Sequence, residues 1–340
     1  MGDTGAMKRR ATIKDVASVA GVSIGTVSRY LNGLNIREAN RVAVESAITN
    51  LRFRADRFAR SMKTGKSQSI GLLVSGFDSF TTDVLATMVR IFQELGYALV
   101  TFHHDGNGEL FDVAMGEMLD RNLDAIAMCG MQCDASMLQD LLSQEKPLVV
   151  FNNEIPGFDL ERVLVNDEEA SFSAVSYLLD MNHRAIGILT GDLETSTAQN
   201  RLNGYERAFQ SRSIPIHDGL VHQGYWSVES GYLGTKALME NSQPPTALLT
   251  SSYKLGIGAM KALQELNLSI PHDVSLISFD DPSLFSITNP PITTVAQPSE
   301  AVGSHVASFL KDRITGVYSG PPREMRLDCR LILRQSVQSL

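Results

Sequence analysis

Apolar residues recur along this chain in two rhythms. Near the start, Ile13, Val16, Ala17 and Ala20 fall three and four apart, the spacing of one helical face. Thr12 precedes that run and Asp15 follows three residues later, which predicts a capped helix start. Gly21 predicts its left-handed end. Val22 is expected to point inward, and Ser23 to cap a second helix, "IGTVSRYLN", that stops at Gly33. Ala17, Gly21, Val27 and Leu31 fit the small and apolar packing positions of two helices joined by a three-residue turn. A third helix is predicted from about Ile36 to Leu51, with Val42, Val44, Ala47, Ile48 and Leu51 as its core residues.

From Ser69 onward the rhythm changes to short continuous apolar runs. Candidate strands are "IGLLV" (70–74), "ALVTFH" (98–103), "AIAMCG" (125–130), "PLVVFN" (147–152) and "VLVN" (163–166), then "AIGILTG" (185–191), "GLVHQG" (219–224), "TALLTS" (246–251) and "VSLISFD" (274–280). Helical patterns lie between them, for example Asp83–Leu95, Glu168–Met181, Thr197–Ser211 and Ser252–Leu266. Buried strands alternating with helices predict parallel sheets covered on both faces. The two series predict an α/β body of two doubly wound parallel-sheet lobes behind the helical head. The first six residues, "MGDTGA", carry no such pattern and are left out of the fold reading.

Charge divides the chain at the same place. The formal net charge is −8, yet residues 1–66 hold 13 Lys and Arg against 5 Asp and Glu, and the remainder holds 17 against 33. A basic head on an acidic body is the asymmetry of a small nucleic-acid-binding unit joined to something else. The 43% hydrophobic and 20% charged composition is that of a globular protein. No apolar run is long enough to span a membrane. "MGDTGAMKRRATIKDVA" has basic residues but no apolar block behind them, so a cytoplasmic location is expected. Cys129, Cys133 and Cys329, sparse and odd in number, then read as reduced thiols.

"TIKDVASVAGVSIGTVSRYLNG" resembles the DNA-binding head of the lactose-repressor (LacI) family of bacterial transcription regulators, with "TVSR" and "LNG" in the family's spacing after "DVA" and "AGVS". "NLRFRADRFARSMKTGKSQSIGLL" is similar to the family's hinge and the first strand of its ligand-binding core. The resemblance covers nearly the whole chain. It implies a second helix lying in the major groove, with Ile24 and Gly25 at the base-reading places. Arg29 then suits a bidentate guanine contact or a phosphate clamp. Thr12, Ser23, Thr26, Ser28 and Asn32 join the candidate DNA contacts, with Thr26, Ser28 and Asn32 bonding phosphates to fix register. In the hinge, Met62 stands at the place of a minor-groove wedge, and Arg57 and Arg60 neutralise phosphate. Ala55 and Asp56 replace the family's usual Pro-Asn pair. The implied limits are a head over 1–53, a hinge over 54–68 and a core over 69–340. Within that core the first lobe takes about 69–165 plus 293–323, and the second about 166–292 plus 324–340.

Ligands on doubly wound sheets bind beyond the carboxyl ends of the strands. Polar residues gather at those ends: Ser75 and Asp78, Asn152 and Asn153, Asn166 and Asp167, Asp192 to Thr197, Ser251 and Ser252, and Asp280 and Asp281. The resemblance places Arg201 of "GDLETSTAQNRLNGYERAF" at a ligand-clasping position and Asp280 of "LISFDDP" at the ligand. It also returns the chain to the first lobe at about Ile292 to Pro298. Trp226, the only tryptophan, aligns with an aromatic position that stacks on ligand, although it could serve as a packing anchor instead. The candidate effector contacts are thus Ser75, Phe77, Asn152, Thr197, Arg201, Trp226, Ser252 and Asp280. Two places depart from the family pattern: Gly76 replaces an acid, and Ser252 and Tyr253 stand where Asn-Asp is common. Phe77 and Phe80 are expected to make the pocket more apolar.

Other chemistry finds little support. "TGKS" lacks the glycine that a phosphate loop needs five residues before Gly65, where Arg60 stands. His103, His104 and Asp105 have no established metal-ligand spacing, and Cys129 and Cys133 lack nearby histidines. No metal or cofactor is expected. No nucleophile elbow or dinucleotide fingerprint is present. The expected function is a DNA-binding transcription regulator, most simply a repressor, controlled by a small effector such as a sugar. It would be a homodimer, or a tetramer, on a near-palindromic double-stranded operator. The alternatives are a solute-binding protein, which would call for export, and an enzyme on the same scaffold.

Overall fold

The computed structural model describes residues 11–31, 33–53, 66–106, 108–129, 135–217 and 219–340. The chain divides into two units, Met1–Ser67 and Gln68–Leu340.

In the first unit, helix α1 (Ile13–Ala20) opens on a capping box: the Thr12 hydroxyl accepts from the Asp15 N–H, and the Asp15 carboxylate accepts from the Thr12 N–H. Gly21, at φ 65°, closes it in the left-handed conformation. Helix α2 (Ile24–Leu31) starts where the Ser23 hydroxyl accepts from the Thr26 N–H at 3.2 Å. Helix α3 (Glu38–Leu51) completes the head, two residues later than the pattern predicts. Val16, Ala17, Val27, Val44 and Ala47 form the buried centre, with Val22, Leu31, Ile48 and Leu51 packed around it. Val42 is the exception, 55% exposed rather than in the core. It lies two residues before Val44, about 200° round the helix from the buried stripe.

The second unit contains two six-stranded sheets. The first has β1 (Ser69–Val74), β2 (Ala98–His103), β3 (Ala125–Cys129), β4 (Leu148–Phe151), β5 (Glu161–Val165) and a late strand, Glu324–Leu327, all in parallel pairs. The second has β6 (Ile186–Leu189), β7 (Val221–His222), β8 (Ala247–Thr250), β9 (Ser275–Phe279), β10 (Thr293–Ala296) and, antiparallel at its edge, Arg330–Ile332. The central strands β3, β4, β6, β8 and β9 are buried along their full length. Helices cover both faces of each sheet and give each an apolar core on either side. The strand orders 2-1-3-4-5 and 7-6-8-9-10 each reverse direction beside their first strand. That reversal opens a crevice at the strand carboxyl ends.

The returning segments divide differently from expectation. Thr293–Ala296 belongs to the second sheet, paired with Ile277–Phe279, and Glu324–Leu327 belongs to the first, paired with Arg162–Val165. The first lobe therefore regains the chain only after Ala296, and its closing strand falls beyond the expected limit at 323. The crossing sits at Gln297 and Pro298, where a proline cannot donate to a ladder. The helix Ser299–Thr315 then packs into the first lobe's core through Val302, Val306 and Leu310.

Candidate nucleic-acid interface and ligand cleft

Helix α2 buries Val27 and turns Ile24, Gly25 and Arg29 outward. Ile24 is 45% exposed, and Val19, Leu34 and Val42 of the same head are exposed to a greater degree. A Cβ built on Gly25 would meet only the Ser23 hydroxyl, at 3.7 Å, and the residue has ordinary helical φ. The head's own packing therefore does not require glycine there. Thr26 and Ser28 are half-buried. The Thr26 hydroxyl lies 3.0 Å from that of Ser23, and the Thr12 hydroxyl is committed to Asp15. The Tyr30 hydroxyl donates to Glu45 Oε1 at 3.0 Å, fixing the helix against α3, and Arg41 donates to the same oxygen at 2.7 Å. Asn32, Arg57, Arg60 and Met62 lie outside the described residues, as does Cys133.

The carboxyl ends of the two sheets enclose a cleft of about 140 Å³. Seven of the eight expected effector contacts line it: Ser75, Asn152, Thr197, Arg201, Trp226, Ser252 and Asp280. Phe77 does not. It is 56% exposed and stacks on His103, ring centres 5.5 Å apart. Phe80, three residues later in the first turn of the helix Ser79–Glu94 that Asp78 caps, provides the first-lobe aromatic surface. Three further lining groups had no marking pattern: Gly106, Lys254 and Gln297. Gln297 sits beside Pro298 at the crossing, the one local signal that could have found it.

The helix Ser196–Ser211 carries Thr197 and Arg201 on one face. Arg201 is 2% exposed, and its Nε and Nη2 both reach the Asp167 carboxylate, at 2.7 and 2.6 Å. Its Nη1 donates to the Ser251 carbonyl, and its plane lies 4.0 Å over the Phe279 ring. Three of five N–H groups are thus spent. Burial pushes the Asp167 carboxyl up from its ordinary value, and Arg201 pulls it back.

Asp280 adopts φ 68°. Its two oxygens accept from the Tyr253 N–H at 3.1 Å and the Gln297 amide at 2.6 Å. Asp78 accepts from the Thr81 N–H at 2.7 Å. Burial raises the Asp78 carboxyl from its ordinary value and Asp280 across the cleft adds to the rise, against the Thr81 hydrogen bonds and the Lys254 ammonium. Lys254 itself makes no hydrogen bond or ion pair among the described residues. Among the described residues, the carboxamide oxygens of Asn152 and Gln297 are buried without a partner.

The lobes are joined across the cleft. The Asn153 side-chain oxygen accepts from the Thr197 N–H at 3.1 Å, and the Thr197 hydroxyl donates to the Asn152 carbonyl at 2.9 Å. Ser196 receives the Glu154 N–H at 2.9 Å. One N–H of the first turn of this second-lobe helix, that of Thr197, is thereby satisfied by the first lobe.

His103 and His104 part company: His103 stacks outward on Phe77, and His104 is wholly buried against Phe111. Cys129 is buried at the end of β3, where desolvation pushes its thiol up to about 12. A larger open groove of about 800 Å³ lies around Leu263, Ile270 and Pro290, but His272 is its only ionisable side chain.

Residues 12–56 match the family model for bacterial regulatory proteins of the lacI family, and residues 175–337 match a periplasmic binding protein-like domain. The chain is 31% identical over 334 residues to the ribose operon repressor of Haemophilus influenzae, covering 97% of this chain and 99% of that one. It is 32% identical over 334 residues to the transcriptional repressor PurR of Escherichia coli, covering 96% and 97%. The structure of the lac repressor dimer bound to operator and the anti-inducer ONPF superposes with TM-score 0.84 at 24% identity, covering 97% of this chain and all of that one, a likeness of fold. The cellobiose complex of the regulator CelR superposes at 0.74 with 26% identity, covering 96% and 100%. The chain belongs to the lacI family of bacterial transcription regulators, sequence-specific DNA-binding proteins controlled by a small-molecule effector.

Proposed function

We propose that this chain is a cytoplasmic, homodimeric repressor, without enzymatic activity, whose operator affinity is set by a neutral, hydroxyl-rich effector of the sugar class in the interlobe cleft. The observation that carries this reading is the balance of open groups there. Two Arg201 N–H groups and Lys254 call for acceptors, while Asn152, Gln297, Asp78 and Asp280 call for donors. Phe80, Trp226 and Tyr253 offer apolar faces. A polyol supplies both kinds of hydrogen bond on an apolar ring. The names of relatives and neighbours, a ribose operon repressor and a cellobiose complex, favour the same class.

On DNA, Ile24 and Arg29 meet base edges, Gly25 lets the backbone approach, and Thr26, Ser28 and Asn32 hold phosphates. Residues 54–68 act as the hinge, with Arg57 and Arg60 on phosphate and Met62 as the wedge. An effector that prefers one lobe arrangement shifts the pair of lobes feeding the two hinges, and so changes operator affinity. A solute-binding role without DNA leaves the helix-turn-helix head unexplained. A thermal-shift screen with pentoses, hexoses, sugar acids and nucleosides tests the sensor. One of these compounds should raise the unfolding temperature of the native chain and not that of Asp280→Asn. A shift that is the same in both proteins would contradict the assigned cleft.

A further inference from the structure

Trp226 owes its place to a residue that does not line the cleft. Gly191 follows β6 and is buried. A Cβ built on it would fall 2.2, 2.3 and 2.4 Å from the Cε2, Cδ2 and Cζ2 atoms of the Trp226 indole. Those are the three nearest atoms, so the severest conflict of a side chain at 191 is with the indole. The ring lies flat where a Cβ would stand, and from there it reaches the Arg201 guanidinium, 5.9 Å from its centre.

The backbone behind the indole has little freedom to retreat. The Tyr225 N–H donates to the Ser230 hydroxyl at 2.9 Å, and the Ser227 N–H to the Tyr225 carbonyl at 2.8 Å. Ser227 caps the helix Val228–Met239, its hydroxyl accepting from the Ser230 N–H at 3.0 Å. A displaced indole must therefore rotate about its own side-chain bonds, off Gly191 and away from its seat beside Arg201.

We propose that Gly191 is the positioning residue of the effector cleft. Its bare Cα is the seat of the Trp226 ring, and it fixes how far the second-lobe aromatic wall stands from Arg201. The inference rests on the sensor reading for what the wall is used for, but its test needs no effector. Trp226 is the only tryptophan, so intrinsic fluorescence reports this wall alone.

The experiment compares full-length wild type, Gly191→Ala, Trp226→Ala and the double variant. In Gly191→Ala the emission maximum should shift to the red and protection from acrylamide quenching should be lost. The fall in unfolding temperature caused by Gly191→Ala should vanish when Trp226 is already alanine. Unchanged emission and quenching would overturn the proposal, as would an equal loss of unfolding temperature in both backgrounds. If Gly191→Ala alone fails to fold, recovery of a folded protein in the double variant supports the proposal. Failure of both would place the need for glycine in the backbone and overturn it. Failure of the sensor reading itself would show separately, as an absence of any sugar-dependent thermal shift in the wild type.

Discussion

The Arg201 guanidinium sends two N–H groups to one oxygen of the Asp167 carboxylate, with only 3% and 2% of the two side chains exposed. The pair joins the start of the helix Asp167–Asp180 to the helix Ser196–Ser211, and Ser251 at the end of β8 takes a third N–H. Arg201 is therefore both a cleft group and a keystone of the second lobe. Removing one partner of a buried pair leaves an uncompensated charge, at a cost of about 3–5 kcal/mol. Arg201→Ala should unfold at markedly lower denaturant concentration, and its loss of effector response should come with loss of the lobe. Asp280→Asn keeps the left-handed backbone that asparagine tolerates and should lose response at near-native stability. Equal denaturation midpoints for Arg201→Ala and wild type would contradict the keystone role.

Asn153 offers a milder lever. Its bond to the Thr197 N–H links the lobes and can be removed without burying a charge. Asn153→Ala should weaken the joined arrangement by about 1 kcal/mol, enough to move the lobe equilibrium several-fold. Small-angle scattering of the isolated core should show a larger mean dimension in the variant; an unchanged profile would rule the latch out.

Gly25 separates what the head needs from what DNA needs. Alanine there meets only the Ser23 hydroxyl at ordinary contact distance, and helix propensity should stabilise the head by up to about 1 kcal/mol. On the proposed close approach of the backbone to DNA, operator affinity should nevertheless fall, because the added methyl group would stand between the backbone and the base pair. A Gly25→Ala head that melts higher and binds DNA equally well would remove glycine from the reading surface. Arg29→Ala should cost about 1–3 kcal/mol of operator binding and relax specificity at one position, as read from a titration against single-base variants.

His104 sets an acid limit on the fold. It is wholly buried; Nδ1 accepts from the Gly106 N–H at 3.2 Å, and Nε2 has no partner among the described residues. Desolvation lowers its pKa to about 4, with His103 adding to the fall and Asp105 opposing it. The unfolded chain then binds the proton first, so stability is full above about pH 6.5 and is lost as pH falls towards 4, by up to about 3 kcal/mol. His104→Gln should flatten the dependence of unfolding free energy on pH within that window. A slope identical to wild type would assign the acid sensitivity elsewhere.

Local signals carried most of the head and sheets. Thr12, Gly21 and Ser23 act within four residues of themselves, and unbroken apolar runs such as Ile186–Leu189 suit only strands buried on both faces. What escaped depends on distance. "TTVA" reads the same in either lobe, so the allegiance of Thr293–Ala296 was set by its pairing with β9. Phe77 stands two residues after Ser75 but before the Asp78 cap, and it lies outside the cleft, whereas Phe80, also expected there, lines it. Asp167 meets Arg201 34 residues away, and Gly191 meets Trp226 35 residues away; no motif spans either pair.

The central claim is that one head reads a specific site and one cleft alters that reading. It is tested most directly by selecting random duplexes on the full-length chain. The selected duplex is then titrated by fluorescence anisotropy, with and without each compound that raised the unfolding temperature. The account predicts a near-palindromic site whose affinity changes with one such compound in wild type and stays fixed in Asp280→Asn. Recovery of no preferred site, or an affinity indifferent to every compound that binds, would contradict it.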